Sequence, residues 1–562
     1  MKYFFTIIAF ITALFGYSQN KYPQDYFDAP VKIPVVLAGT FGELRSNHFH
    51  SGIDIKTHGK EGIPIHAPAD GFVSRIKVKQ YGFGKALYIE HPNGYTTVYA
   101  HLSKFSGDIE ALVKKTQYKK LSYYTGNIFP SEDKFPVKKG DIIGYSGDTG
   151  SSGGPHLHYE IRDTKTEHII NPLLFGLKVA DTRKPIIKNL YGFPLNESSR
   201  INKTSKKTLI PIKKIEDGSY SASATNANGL IGLGIETYDH QNEANNKNGI
   251  YSLEMFVNGE KVYHHDVETF SFSESKYINL LIDYELYGKH KKRIQKTHKV
   301  EANQLSIYES LVDAGRITIN EGENYMIEIV AKDLAENSSR LKIPIRGVAN
   351  NPLFIEKDTT AYKISAKEFN KFSENGVTIA FPKNTFYEDC FLDFSITDSI
   401  AKIHEPIIPL HKNYTLTFDT SNLSFDQKEQ VYIARVKDNK TSYVNTKKKE
   451  NKVFTNTKNL GSYTLMFDNT KPEIKLLNFK NEQWVSSLRT LKVKIKDEES
   501  GINDFNAFID DEWILMEYNH KKGILSYDFS DKKLVGSKHI FKIVVSDNVG
   551  NTNSMSVTFN RK

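Results

Sequence analysis

The chain has 562 residues, of which 39% are hydrophobic and 25% are charged. These are the proportions of ordinary globular protein, and the length predicts about three to five domains. The formal charge of +9 is spread thinly along the chain, which favours simple solubility, with attraction to an anionic polymer as the alternative; we expect no nucleic-acid partner. Cys390 is the only cysteine, so an internal disulfide is excluded.

The start of the chain has the pattern of an export signal. Lys2 supplies a charge, an apolar run extends from Phe4 to Phe15, and Gly16-Tyr17-Ser18-Gln19 follows. This order predicts a secretory signal peptide at residues 1–18. The run is too short to span a membrane comfortably, and no later segment is apolar enough. No cysteine follows for a lipid anchor, so we expect an exported bacterial protein of the periplasm or cell envelope, or a secreted one.

The rest of the chain is predicted to be mainly β. Tyr, Phe, Thr, Ile and Val recur in short alternating runs, which favour strands. Within residues 30–178 such runs alternate with Gly and Pro turns, and Pro92-Asn93-Gly94 is a hairpin signal. A polar segment rich in Tyr and Lys, residues 104–135, interrupts this pattern directly after His101. We interpret it as an inserted loop or short helix that forms a wall or lid of a nearby site.

Two later regions share the same landmarks in the same order. Each opens with an Asp followed shortly by Lys-Pro, at 181–185 and 468–472, and each closes with an Asp and an Asn four residues apart, at 333–337 and 547–551. This repetition predicts two related Ig-like β-sandwiches, the first with an insertion. The region between them lacks both landmarks and is interpreted as a separate sandwich. The predicted domains after the signal peptide are therefore a site-bearing domain at 30–178 and sandwiches at 180–347, 351–467 and 468–562.

His50 and Asp54 form the first candidate pair of metal ligands. They are four residues apart, and Gly52 with β-branched neighbours argues against a helix at this point. On a strand, positions four apart share a face. Imidazole nitrogen and carboxylate oxygen are both zinc ligands. The pair therefore predicts part of a metal site on one face of a sheet.

A second pair, His156 and His158, follows a Gly/Ser-rich loop, and His101 follows a Tyr-rich strand between the two motifs. On a strand, residues two apart point the same way, so one histidine of the pair can bind a metal while the other stands beside it. A catalytic zinc typically takes three protein ligands and keeps a fourth position open. The residues predict one zinc with two spare imidazoles. The other histidines of this domain are interpreted as structural or surface residues, namely His48, His58, His66, His91 and His168.

Together these motifs resemble the M23 metallopeptidases, the lysostaphin and LytM-like family. The resemblance is carried by Phe49–Asp54, Ala67–Gly71, Gly82–Gly84, Tyr99–Leu102, Val137–Asp141 and Gly154–Glu160. It implies a compact antiparallel β-fold, a mainly β metallopeptidase domain preceding the sandwiches, and hydrolysis of peptide cross-bridges in peptidoglycan. Motif by motif, it implies that His50, Asp54 and His158 bind one Zn²⁺, that His101 and His156 are the catalytic pair, and that no other cofactor is used.

The implied function is that of an exported zinc metalloendopeptidase acting on peptidoglycan stem peptides. Either His101 or His156 would take the proton from the attacking water, and the sequence leaves open which. The insertion at 104–135 departs from the family pattern, so we expect it to affect substrate preference rather than the metal. The sandwiches are candidate contacts to envelope proteins.

Two alternatives belong to other functional classes. One is a non-enzymatic envelope regulator that activates a separate cell-wall amidase, as in relatives of the family that have lost ligands; the presence of all five site residues argues against it. The other is a structural or secretion-linked envelope protein whose sandwiches bind partners, because a fold does not determine a function.

Overall fold

The computed structural model describes residues 21–349 and 359–562, and the predicted signal peptide lies outside them. Four large hydrophobic cores follow one another along the chain, and the first also includes later residues such as Phe270 and Leu515. Antiparallel sheets dominate each region, so the prediction of a mainly β fold is confirmed. Within the described ranges, no helix has the length and apolar character needed to cross a membrane.

The first domain consists of one long sheet and a three-stranded sheet. Its elements are β1 (Leu37–Gly39), β2 (Ile53–Lys56), β3 (Pro64–His66), β4 (Gly71–Val78), β5 (Lys85–Glu90), β6 (Tyr95–Ala100), β7 (Lys104–Phe105), α1 (Gly107–Lys120), β8 (Gly126–Ile128), β9 (Pro136–Val137), β10 (Ile142–Tyr145), β11 (His156–Asp163), β12 (Ile169–Ile170) and a 3-10 turn, Pro172–Phe175. The long sheet has the order β1-β2-β11-β6-β5-β4-β8, and the smaller sheet has the order β3-β10-β7.

Strand β11 lies between β2 and β6, and its register creates the candidate site. His158 is opposite Asp54 on β2 and opposite Ala100, the last residue of β6. His101 is therefore the first residue beyond that strand. Buried aliphatic residues alternate with the polar ones on β2, since Ile53 and Ile55 flank Asp54 and are fully buried. The core thus fixes the face on which the carboxylate points.

The first sandwich is joined to the first domain through a shared sheet. Its strands are Ile186–Pro194, Arg200–Ile201, Thr208–Ile210, Ile212–Lys214, Tyr220–Ala222, Thr225–Tyr238, Ser252–Val257, Glu260–Asp266, Thr269–Phe270, Ile294–Lys296, Tyr308–Leu311, Ile317–Ile319, Asn324–Lys332 and Ser338–Gly347, with short helices at Ile278–Leu281 and Tyr284–His290. Thr269–Phe270 pairs with β12 of the first domain, and the Phe270 side chain is buried in the first domain's core. The boundary predicted at residues 178–180 therefore separates two chain segments that share one sheet.

The middle region contains two five-stranded sheets and a two-stranded one, and the last region contains a four-stranded and a five-stranded sheet. Strands of the middle region are Tyr362–Ile364, Asn370–Glu374, Val377–Phe381, Cys390–Leu392, Phe394–Thr397, Ile400–Ile403, Tyr414–Asp419, Val431–Lys437, Lys440–Tyr443, Lys447–Lys449, Lys452–Thr457 and Gly461–Phe467, with a helix at Phe425–Gln430. Strands of the last region are Glu473–Leu476, Gln483–Trp484, Thr490–Lys496, Ile502–Ile509, Glu512–Ile514, Glu517–Asn519, Ile524–Asp528, Lys538–Asp547 and Thr552–Asn560.

The inserted segment at 104–135 packs against the last sandwich. Lys114 on α1 forms an ion pair with Asp531, and the Tyr118 and Trp513 rings meet edge to face with centroids 5.4 Å apart. The opposite face of α1 buries Ile109 in the core of the first domain. Among the described residues lining the cleft beside the site, none belongs to this segment. Helix α1 is therefore packed on both faces, whereas the role of the whole segment as a wall or lid stays a prediction.

Candidate metal centre

Three side-chain atoms converge on the edge of the long sheet. The Nε2 atom of His50 lies 3.0 Å from Oδ1 of Asp54 and 3.1 Å from Nδ1 of His158. The Nδ1 atom of His158 lies 2.9 Å from the same Asp54 oxygen. A tetrahedral zinc with bonds of about 2.0–2.2 Å needs ligand atoms roughly 3.3–3.6 Å apart. The triangle is thus a few tenths of an ångström tighter than a zinc site requires.

The hydrogen bonds of the two ligand histidines leave a lone pair directed at the centre of this triangle. The Nδ1 atom of His50 lies 2.7 Å from the Thr40 carbonyl oxygen, and Nε2 of His158 lies 3.0 Å from Oε1 of Glu160. Each of these partners is an acceptor, so each assigns the N–H to the outer nitrogen. With both rings neutral, as metal binding requires, two imidazole lone pairs and a carboxylate oxygen then face one another. This donor set fits a divalent cation of the zinc type.

The charges around the triangle favour an ionised carboxylate. Burial alone would raise the pKa of Asp54, but the neighbouring His50, His156 and His158 hold it well below its usual range. The second oxygen of Asp54 is 3.3 Å from Nη2 of Arg45, so Oδ1 is the oxygen left for a metal.

Glu160 and Arg162 extend the site behind His158. Burial opposes ionisation of Glu160, but Arg162, whose Nε donates to it at 2.7 Å, lowers the pKa of Glu160 to about 2. Burial likewise opposes protonation of His158, yet hydrogen bonds to Asp54 and Glu160 raise its pKa to about 9. The pocket around this imidazole therefore has a marked preference for positive charge, which a metal ion also satisfies.

A close backbone approach explains the glycine of the first motif. A Cβ atom at Gly52 would lie 2.4 Å from the Tyr159 carbonyl oxygen and 3.0 Å from Cε1 of His158. Any side chain there would push β11 away and displace the imidazole. The residue is thus required by the packing of the ligand histidine.

His101 and His156 lie beside the triangle with their ring centroids 4.9 Å apart. The Nδ1 of His101 donates to the Thr149 carbonyl at 2.8 Å, and that of His156 donates to the Gly154 carbonyl at 2.8 Å. Both rings therefore present an unprotonated Nε2, and that of His156 is 3.4 Å from Oδ1 of Asp54.

Burial, followed by repulsion from the two neighbouring histidines, lowers the pKa of His101 to about 3. The ring is consequently neutral at neutral pH. The backbone of His101 adopts a φ of 60°, a left-handed conformation that a residue with a side chain adopts only at a cost. Such strain is typical of functional positions.

The site opens into a cleft of about 750 Å³ whose lining includes Arg45, Asp54 and His156. Glu243 and Asn246 of the first sandwich line the same cleft. His58 also lies on the lining and is exposed, although the sequence suggested no role for it. The cleft is therefore a two-domain surface.

The structure brings all five predicted site residues together. It adds Arg45, Glu160 and Arg162, which the sequence analysis did not single out. Glu160 could have been predicted from the sequence, because it lies two residues after His158 on a strand and must share its face. Arg45 could not, since it reaches Asp54 from a separate loop.

Comparison with known proteins identifies the type of the first domain. Residues 48–120 and 115–172 match the family model described as Peptidase family M23, and residues 361–468 match a Zu5-like domain. The resemblance of the first domain to M23 metallopeptidases is thereby confirmed.

Curated relatives match this chain over part of its length. The chain is 38% identical over 119 residues to the DD-carboxypeptidase/endopeptidase Mpg of Neisseria meningitidis serogroup B, which is 21% of each chain. It is 36% identical over 112 residues to the peptidoglycan DD-endopeptidase ShyA of Vibrio cholerae, which is 20% of each chain. The match thus spans about a fifth of the length of these relatives. The solved catalytic domain of lysostaphin from Staphylococcus simulans aligns with 25% of this chain and 91% of its own at 24% identity, with a TM-score of 0.19.

Proposed function

We propose that this protein is an exported zinc endopeptidase that hydrolyses peptide cross-links of bacterial peptidoglycan. The observation that carries the proposal is the convergence of three acceptor atoms, from His50, Asp54 and His158, within 3.1 Å of one another. Two further imidazoles, of His101 and His156, stand beside them, and His156 lines the cleft. Three protein ligands with an open side are typical of catalytic zinc, whereas structural zinc has four protein ligands.

Zinc held by His50, Asp54 and His158 would supply a Lewis acid for the scissile carbonyl and lower the pKa of the attacking water. The chain's own contribution is to hold the ligands in place. The Thr40 carbonyl orients the His50 ring, and Glu160 orients the His158 ring. Fixed tautomers of this kind direct both lone pairs at one point without reorganisation during the reaction.

His101 and His156 supply proton transfer in this mechanism. Each presents an unprotonated Nε2, because its Nδ1–H donates to a backbone carbonyl. One of them accepts a proton from the attacking water at Nε2, and a proton must then be returned to the leaving amine for the peptide bond to break. The lowered pKa of His101 keeps its Nε2 available as an acceptor at neutral pH.

Stem-peptide cross-links between D-amino acids are the substrate that we favour over glycine bridges. The names of the curated relatives, which include a peptidoglycan DD-endopeptidase, support this choice. The signal-like start of the chain supports export to the compartment where peptidoglycan lies.

The test is incubation of the mature protein with purified disaccharide-peptide dimers joined by a D-amino-acid cross-link. We expect conversion to the two monomers, detected by mass as addition of one water. The His101→Ala variant is the matched control and should leave the dimers intact.

Dimers that stay intact with zinc-loaded protein would refute the enzymatic proposal. Stimulation of a separate cell-wall amidase in the same assay would then support the regulator alternative. Both results are read from one mass spectrum, because an amidase releases the whole peptide from the sugar whereas an endopeptidase does not.

A further inference from the structure

Three aspartates of the first sandwich form a second cluster of possible metal ligands. Asp181, Asp239 and Asp333 each offer a carboxylate oxygen, and these atoms lie within 4.8 Å of one another. Asp239 is 2% exposed and Asp333 is 4% exposed. Three carboxylates at this distance, two of them buried, repel one another strongly unless a cation or bound protons neutralise them.

Two buried oxygens at this cluster have no hydrogen-bond donor. They are Oδ1 of Asp239 and the side-chain carbonyl Oε1 of Gln241, and Gln241 is only 5% exposed. Both side chains line one cavity of about 540 Å³, together with Asp181 and Asp333. A buried amide oxygen without a donor is costly, and a cation bound in this shared cavity would supply the missing partner.

The guanidinium of Arg183 makes its hydrogen bonds to backbone carbonyls rather than to the three carboxylates. Nη1 of Arg183 donates to the backbone carbonyls of Gln241 at 3.4 Å and Ala244 at 3.5 Å. Burial, followed by repulsion from Asp181 and Asp333, raises the pKa of Asp239 to about 7. The cluster is therefore short of positive charge.

The last sandwich repeats the arrangement. Asp468, Asp497 and Asp547 also bring carboxylate oxygens within 4.8 Å of one another, and Asp468 and Asp547 are fully buried. The N–H of Ser500 donates to Asp468 at 3.0 Å, while the buried Ser500 hydroxyl has no partner.

The two clusters share the same supporting hydrogen bonds. In the last sandwich, Nδ2 of Asn551 donates to Asp547 at 2.7 Å and to the backbone carbonyl of Asp468 at 2.9 Å. In the first, Nδ2 of Asn337 donates to Asp333 at 2.8 Å and to the backbone carbonyl of Asp181 at 3.4 Å. One arrangement thus occurs twice in one chain, at positions that the sequence repeat already aligned.

Both clusters lie where one domain joins the next. Asp181 is in the connection between Pro172–Phe175 and Ile186–Pro194, and Asp468 is between Gly461–Phe467 and Glu473–Leu476. The other members of each triad belong to the sandwich that follows. A ligand bound by all three would therefore fasten the connecting segment to its sandwich.

We propose that each triad binds one hard divalent cation, calcium in the extracytoplasmic setting, and that the two ions fix the orientation of the first and last sandwiches. Each triad offers only oxygen ligands. Zinc and copper prefer nitrogen and sulfur ligands, so an all-oxygen site does not favour them. Calcium accepts six to eight oxygens, including carbonyls and waters, in irregular geometry. Magnesium requires near-ideal octahedral geometry, which three carboxylates fixed by backbone donors do not offer.

Equilibrium dialysis of the full chain against calcium-45, in zinc-replete and otherwise metal-free buffer, tests the proposal. We expect two calcium ions per chain at about 1 mM calcium. Asp239→Asn and Asp497→Asn should each weaken one site by at least about tenfold, because each removes one of three ligand charges. The exposed aspartates Asp217 and Asp511 provide matched Asp→Asn controls, which should retain both sites.

A second measurement is the thermal unfolding temperature with and without calcium. A variant that is merely misfolded would not give the pattern expected here. Without calcium, Asp239→Asn should unfold at a higher temperature than the natural chain, because it relieves repulsion between carboxylates. With calcium, the order should reverse, since the natural chain gains several degrees. Absence of bound calcium in the natural chain, or unchanged stoichiometry in the variant carrying both substitutions, would overturn the proposal. If the carboxyl groups merely share protons, Asp239→Asn would still unfold at a higher temperature than the natural chain without calcium. Calcium would then change neither melting temperature.

Discussion

Nε2 of His158 lies 3.0 Å from Oε1 of Glu160, two residues further along the same strand. This pairing leaves Nδ1 of the histidine to face Asp54 at 2.9 Å. The glutamate therefore determines which nitrogen of His158 is available, although it makes no contact with the open side of the site.

Glu160→Gln should weaken zinc binding by about 10–100-fold, because outer partners of metal-ligating histidines have effects of that size. The measurement is zinc affinity by competition with a chromophoric chelator. Hydrolysis at saturating zinc should change much less. Glu132→Gln, at an exposed residue of the inserted segment, is the control and should bind zinc normally. Equal affinities in the two variants would remove Glu160 from the site.

Asp54→Ala should contain little zinc after purification. The substitution removes the only oxygen ligand of the triangle and leaves two imidazoles, fewer than the three protein ligands of a catalytic site. Elemental analysis by mass spectrometry gives the zinc content per chain. His48→Ala, two residues before the ligand His50, is the comparison and should retain one zinc. Full occupancy in Asp54→Ala would disprove the ligand assignment.

His101→Ala and His156→Ala should each retain zinc and lose about 10²–10⁴-fold in the rate of hydrolysis, the usual contribution of a general acid or base. Both rings stand beside the triangle rather than within it. Zinc content and the rate of dimer cleavage are measured on the same preparation. Near-normal turnover in either variant would exclude that histidine from proton transfer.

Lys114→Ala should loosen the last sandwich from the first domain. The change leaves the carboxylate of Asp531, only 4% exposed, without its ion-pair partner, and an unpaired buried charge is costly. We expect a lower thermal midpoint and faster proteolysis between the middle and last sandwiches. Lys115→Ala, at the exposed neighbouring position on α1, is the control. Identical proteolysis of the two variants would show that the contact is weak in solution.

Acid should destabilise the first sandwich through two buried histidines. Burial lowers the pKa of His265 and His298 to about 3, below the ordinary value of about 6.5. The unfolded chain takes up protons below that ordinary value, whereas the folded state resists them until about pH 3. The free energy of unfolding is therefore unaffected by these groups above about pH 6.5 and falls as the pH decreases, by at most about 1.4 kcal/mol per pH unit for each histidine.

Urea unfolding between pH 7.5 and 4.5 measures this slope. His265→Gln should flatten it, and His290→Gln, at an exposed residue, should leave it unchanged. A slope that is equal in all three proteins would assign the acid sensitivity to other groups.

The ligand residues could be predicted from the sequence, because strand periodicity depends only on the spacing of residues along the chain. His156 and His158 had to share a face wherever the strand lay, and the same rule extends to Glu160. Arg45 and Glu243 could not be found in this way, because each reaches the cleft from a loop whose position depends on the tertiary fold. The packing partner of the inserted segment could not be predicted for the same reason. The segment's position next to His101 in the chain suggested a lid, whereas the partner of α1 is Trp513, which lies about four hundred residues later in the chain.

The pairing of β12 with Thr269–Phe270 has a practical consequence for anyone who divides this chain. A fragment ending at residue 178, where the first domain is predicted to end, would leave Ile169 and Ile170 on an open strand edge and vacate the core position of Phe270. Exposed edges of this kind promote intermolecular pairing, so such a fragment should aggregate on expression. A fragment extended through residue 349 would retain Thr269–Phe270, the strand that pairs with β12. It is smaller than the full chain and is the fragment that we would use to study the site.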